Sequence, residues 1–221
     1  TCDDFCYEGM CVNESDYLGK VAFLCRDDSC EDGLEPLLIS WLKDNGWIII
    51  GKSHDSWTYD ELERFDMIMC SDETEACKVK PGTLPHYMHL FQNKSFVEVA
   101  DYRYGFAAFY LEYVSNPYEY IEKSDSVNSY GDIIMDVFDS PVEVFFRRSR
   151  MVSVPNTRLS DSIVKVAYVS NSRRVTIFKS DTDGMKGRYV YVGLFPKSSP
   201  YGLTPDGRKL FNRTLICCLL Y

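Results

Sequence analysis

The chain has 221 residues, 45% hydrophobic and 14% aromatic, which excludes the high-charge, low-hydrophobicity regime of disordered chains and fits one large α/β unit. A formal net charge of -9 argues against nucleic acid as a partner, because that affinity comes largely from lysines and arginines neutralising phosphates. The basic clusters Arg147-Arg148-Ser149-Arg150 and Arg173-Arg174 are short and read as solvated loop ends.

In chain order, residues 1-19 have little apolar periodicity and read as an irregular, cysteine-rich arm in which Cys2, Cys6 and Cys11 are disulfide candidates. Residues 20-221 read as the main domain. Lys20 to Cys25 is an apolar run of buried-strand type, and Leu34, Leu37, Leu38, Trp41 and Leu42 recur at helical spacing before the stop signal Asn45-Gly46. Trp47 to Gly51 is a second strand. Thr58 and Glu61 have the spacing of a capping box opening a helix with Leu62. Asp66 to Cys70 and Ser95 to Ala100 are further strands, with helices expected over Leu84 to Phe91 and Gly105 to Tyr110. This alternation predicts a parallel sheet covered on both faces.

The second half changes character. Val142 to Phe146 is expected as a strand, Val164-Val169 and Arg174-Phe178 as an antiparallel hairpin, and Gly187 to Gly193 as a last strand. Thr204 and Pro205 are placed to cap and start a final apolar helix. The expected fold is a flavodoxin-like three-layer α/β sandwich, mainly parallel, with an added antiparallel hairpin. No apolar run is long enough to span a membrane, and the chain opens with Thr-Cys-Asp-Asp, so any signal peptide is expected to have been removed.

Two stretches carry a family resemblance: Phe65-Asp66-Met67-Ile68-Met69-Cys70-Ser71-Asp72, and Gly187 to Gly193 followed by Leu203-Thr204-Pro205-Asp206-Gly207-Arg208-Lys209-Leu210-Phe211. From about residue 20 onward the order of elements resembles the class I glutamine amidotransferase-like fold, of the trehalose-utilisation type. The resemblance implies a nucleophilic cysteine on a glycine-flanked elbow after the fourth strand, with a histidine supplied after the later strands. This chain reads Val99-Ala100-Asp101-Tyr102-Arg103-Tyr104-Gly105 at that elbow, and its only histidines, His54, His86 and His89, all precede it. Glutamine hydrolysis by that triad is not expected.

Other chemistry has thin support. Asp101 is the one catalytic candidate, a carboxylate at a strand end that faces the usual ligand crevice, against the plainer reading of a helix cap or a partner of Arg103. His86 and His89, three apart and able to share a helical face, are metal candidates with Asp72 or Glu73, against the plainer reading of partial burial. Cys25, Cys30, Cys70 and Cys77 lack a tight C-x-x-C knuckle and read as disulfides rather than a zinc site, with their pairing open. At least one of Cys217 and Cys218, in the final helix, is expected to be a buried thiol. The acids Asp27-Asp28 and Glu31-Asp32 lack EF-hand spacing. No cofactor motif is present.

Nine cysteines and three sequons, at Asn13, Asn93 and Asn212, point to an oxidising compartment. The expected role is a non-catalytic extracellular or cell-surface structural or interaction domain, such as a subunit of a surface assembly or filament, with protein partners or self-association. The alternative is a secreted hydrolase or carbohydrate-processing enzyme using Asp101, Glu98 or the His86 and His89 region. A third reading is ligand or glycan binding through Trp41, Trp47 or Trp57, of which the first two read as core.

Overall fold

A computed structural model describes residues 5–7, 10–12, 19–31, 33–71, 94–99, 120–180, 189–194 and 200–219. The expected helices over 84–91 and 105–110 lie outside them. In the arm, β1 (Phe5–Tyr7) and β2 (Met10–Val12) pair antiparallel with Cys6 opposite Cys11, so this part is a hairpin rather than irregular chain.

Beyond the arm the chain runs through β3 (Lys20–Cys25), α1 (Glu35–Asp44), β4 (Ile48–Ser53), the single turn α2 (Tyr59–Leu62), β5 (Met67–Ser71) and β6 (Ser95–Val99). It continues through β7 (Tyr120–Ser124), β8 (Ser126–Ser129), β9 (Val142–Glu143), β10 (Ser149–Ser153), β11 (Ile163–Val169), β12 (Val175–Ser180), β13 (Tyr189–Val192) and α3 (Pro205–Leu219). Nine strands form one sheet in the order β4-β3-β5-β6-β13-β12-β11-β8-β9, while β7 and β10 pair separately. The first five run parallel and the remaining four alternate antiparallel. This is the expected mainly parallel α/β sheet with its antiparallel hairpin, β11–β12.

Burial explains why the central strands read as unbroken apolar runs. Every residue of β5, β6 and β13 is buried, because a parallel strand is covered on both faces. One face packs Phe23, Met69, Val97 and Val192 against Leu38 and Trp41 of α1 and Leu210, Phe211 and Leu215 of α3. The other packs Leu24, Ile68, Phe96, Phe178 and Tyr191 with Leu62, Phe65 and Val152. Trp41 and Trp47 are core, as their spacing suggests, and Trp57 packs edge-on against Phe65. At α2 the capping box forms: the Glu61 amide donates to Thr58 Oγ1 and the Thr58 amide to the Glu61 carboxylate.

The expected strand over Val142 to Phe146 is corrected. Only Val142 and Glu143 join the sheet; the Val144 and Phe145 amides both donate to the Asp125 carbonyl, and Phe145 bridges Leu203. The segment leaves the ladder because it serves α3 instead. The Val144 carbonyl accepts from the Thr204 amide, and Thr204 Oγ1 accepts from the Gly207 amide at the first turn of α3. A Cβ on Gly207 would lie 2.2 Å from the Val144 oxygen, so only glycine permits this approach.

Candidate functional site at the carboxyl edge of the sheet

Ligands of open α/β sheets bind outside the carboxyl ends of the parallel strands, so chemistry would gather where β3, β4, β5, β6 and β13 end. At the end of β3, Cys25 is joined to Cys30 in a disulfide with the Cα atoms 5.2 Å apart. The bridge lies over Gly51 of the neighbouring strand, where a Cβ would meet Cys30 Sγ at 2.6 Å and Cys25 Sγ at 3.1 Å. Cys70, near the end of β5, is also disulfide-bonded.

The short loop closed by the first bridge is tied down by its own acids. Asp27 accepts from the Ser29 amide and hydroxyl, and the Ser29 hydroxyl is the main cause holding the Asp27 carboxyl below its ordinary range. Asp28 accepts from the Ser53 amide at 3.1 Å, and the buried Glu35 from the Arg26 amide at 3.0 Å. These carboxylates organise backbone. Among the described residues no group of three or more His, Cys, Asp or Glu side chains gathers as a metal site would.

Among the described residues, His54 reaches this rim. The His54 amide donates to the Cys25 carbonyl at 2.8 Å, its ring Nδ1 lies 3.3 Å from the same oxygen, and Nε2 faces Asp55 at 3.4 Å. Sequence order alone places His54 only as preceding the elbow; the pairing of β3 with β4 brings it beside the bridge. The adjacent sulfur is oxidised, so imidazole and sulfur do not form a nucleophilic pair.

Glu98, one residue from the end of β6, is fully buried and accepts a hydrogen bond from the Tyr189 hydroxyl of β13. Phe96 stacks on Tyr189, and Phe178 stacks on Tyr191, so the carboxyl is enclosed by rings on one face of the sheet. On the opposite face Lys179 of β12 pairs with Asp132 at 2.9 Å and lies 3.9 Å from the sulfur of Cys217. Cys217 and Cys218 are both buried thiols on α3.

Other expected positions are distributed as follows. Asp101, His86, His89, Asp32, Asp72, Glu73, Cys2, Cys77, Asn13 and Asn93 lie outside the described residues. Asn212 lies inside α3, and Thr214 of the same sequon is fully buried and donates to the Leu210 carbonyl. Among the described residues no helix is long and apolar enough to cross a membrane.

No protein-family profile matches the chain, and no curated protein matches it. Solved structures do. A Thermoplasma acidophilum protein named for one component of GMP synthase is similar with a TM-score of 0.57 at 15% identity, over 91% of this chain and 94% of that one. A glutamine amidotransferase of Thermotoga maritima is similar with a TM-score of 0.48 at 10% identity, over 93% of this chain and 100% of that one. The fold is therefore glutamine amidotransferase-like, as the resemblance in the sequence implies.

Proposed function

We propose that this chain is a non-catalytic extracellular or cell-surface domain, built on a glutamine amidotransferase-like fold and used for structural or interaction roles, including self-association. One observation carries the reading: cysteines at the ends of β3 and β5, on the rim where this fold does chemistry, are committed to disulfides. Disulfides persist in oxidising compartments, and a sulfur so committed is no nucleophile. Supporting it, the sequence has Asp101 instead of cysteine where the resemblance expects the elbow, no histidine follows residue 89, and the Glu98 carboxyl is enclosed rather than presented to a substrate.

The test pairs a chemical with a physical measurement. Protein produced through a secretory route is expected to retain the Cys25–Cys30 bridge by peptide mapping and to show no hydrolase activity that Asp101→Asn abolishes. Sizing before and after removal of residues 1–19 then examines assembly through the arm. An activity lost in Asp101→Asn sinks the non-catalytic reading. Identical sizing of both forms removes the arm from the assembly.

A further inference from the structure

We propose that Lys123, Arg147, Arg148 and Arg150 form a binding site for a sulfated polysaccharide, with the exposed ring of Phe146 as its apolar contact. The whole site is not visible as a motif, because Lys123 joins the 147–150 stretch only through strand register. In the β7–β10 ribbon Arg150 lies directly opposite Lys123. Opposed residues of an antiparallel pair share a face with their Cβ atoms about 5 Å apart, and like charges there destabilise the ribbon. An external anion seated between them removes that penalty.

The surrounding residues add to the same field. Arg147 and Arg148 are exposed immediately before β10, where the Ser149 hydroxyl donates to the Arg147 carbonyl and holds the bend. None of the four cations enters an ion pair among the described residues. The acid next to Lys123 in sequence, Glu122, is turned to the other face by strand alternation and accepts from Arg174 at 2.7 Å and Ser153 at 3.0 Å. Phe146 is 69% exposed, with its amide fixed to the Gly202 carbonyl, so an exposed ring directly precedes the exposed Arg147 and Arg148 in the chain. Planar forks suit sulfate oxygens, and a ring suits the apolar face of a pyranose.

The choice among polyanions follows from charge and compartment. The remainder of the chain is strongly acidic, and duplex contacts of ordinary strength neutralise about six to ten phosphates, more than this patch offers. A sulfated polysaccharide carries several charges on each short repeat and is the ambient polyanion outside cells. That step rests on the extracellular placement proposed above.

The experiment measures binding of the full chain to a heparin oligosaccharide, its desulfated form and duplex DNA across a salt series. Expected are salt-sensitive binding to heparin, loss with desulfation, and weaker binding to DNA. Lys123→Ala and Arg150→Ala should each weaken heparin binding ~5-fold. Phe146→Ala should weaken it without changing the salt slope, and Arg208→Ala, exposed on α3, should leave it unchanged. These side chains are exposed, and melting curves check that each variant is folded. Absence of heparin binding, indifference to Lys123→Ala and Arg150→Ala, or equal binding to DNA each overturns the proposal. So does a shift in self-association without any change in heparin binding, which would assign the patch to a second copy of the chain. A failure here leaves the non-catalytic reading standing, and hydrolase activity would leave this binding intact, so the two fail separately.

Discussion

In the parallel half of the nine-stranded sheet, β3, β5 and β6 are enclosed by apolar side chains and sulfur bridges their rim; at the other end, beyond β12, the chain is held by buried charge. Arg213 of α3, only 1% exposed, donates from Nε to the Ile134 carbonyl at 3.0 Å and from Nη2 to the Ile133 carbonyl at 2.8 Å, with Asp136 at 3.2 Å. Lys179 holds Asp132 at the start of the same turn, and Asp132 in turn accepts from the Ile134 amide. The parallel half stands on periodic apolar sequence, whereas the turn over 132–138 has too little regular hydrogen bonding of its own and is fixed by two long cations. Irregular backbone can be buried only where such donors satisfy it.

The largest effects should therefore fall on the cations. Arg213→Met strands the Ile133 and Ile134 carbonyls and should cost about 3 kcal/mol or more in urea denaturation. Lys179→Met should cost a similar ~3 kcal/mol, since it leaves the Asp132 carboxylate enclosed without its partner. Replacing both members, as Lys179→Met with Asp132→Leu, should recover most of that loss. If the double variant is no better than the single, pairing is not what fixes the turn. In the parallel half, Cys25→Ser with Cys30→Ser should cost ~2 kcal/mol, the loop-entropy expectation for so short a bridge. A larger loss would mean that the bridge also supports packing around Gly51.

The same contrast explains what could be read from the sequence. The run Asp66 to Cys70 announces β5 because a strand buried on both faces is apolar throughout, and Thr58 with Glu61 announces α2 because a capping box is local. Tyr-Ile-Glu-Lys-Ser and Ser-Val-Asn-Ser, which form β7 and β8, carry no apolar run; their pairing is set by partners far along the chain. The basic stretch at 147–150 is visible in the sequence, but its register with Lys123 is not. At the rim, the cysteine cluster and the missing elbow cysteine are legible. The approach of His54 to Cys25 is not, because it depends on which strands are neighbours.

A smaller effect sharpens the sulfur side of the comparison. Gly51→Ala would press a methyl group against both bridge sulfurs, at 2.6 Å and 3.1 Å, and should cost roughly 1–3 kcal/mol as overpacking. In the Cys25→Ser, Cys30→Ser background the smaller hydroxyls relieve the contact, so the same substitution should cost less. A double-mutant cycle reads that coupling directly. Equal costs in the two backgrounds would show that Gly51 is required by its backbone and not by the bridge above it.

The smallest expected effect lies at the surface of the parallel half. The Glu61 carboxyl is lowered from 4.5 to about 2, first by the hydrogen bond from Lys52 and then by the Thr58 amide and hydroxyl. A carboxyl whose folded pKa lies below its unfolded value stabilises fully above the unfolded pKa and loses that contribution as pH falls through the folded one. The Glu61 contribution should thus be complete above about pH 4.5 and decline towards pH 2. Glu61→Gln should lower the melting temperature slightly at neutral pH and flatten its fall between those limits. Because the group is exposed, added salt should shrink its Lys52 part while leaving the Thr58 cap. If Glu61→Gln follows the wild-type acid limb unchanged, the cap and the Lys52 pair do not form in solution.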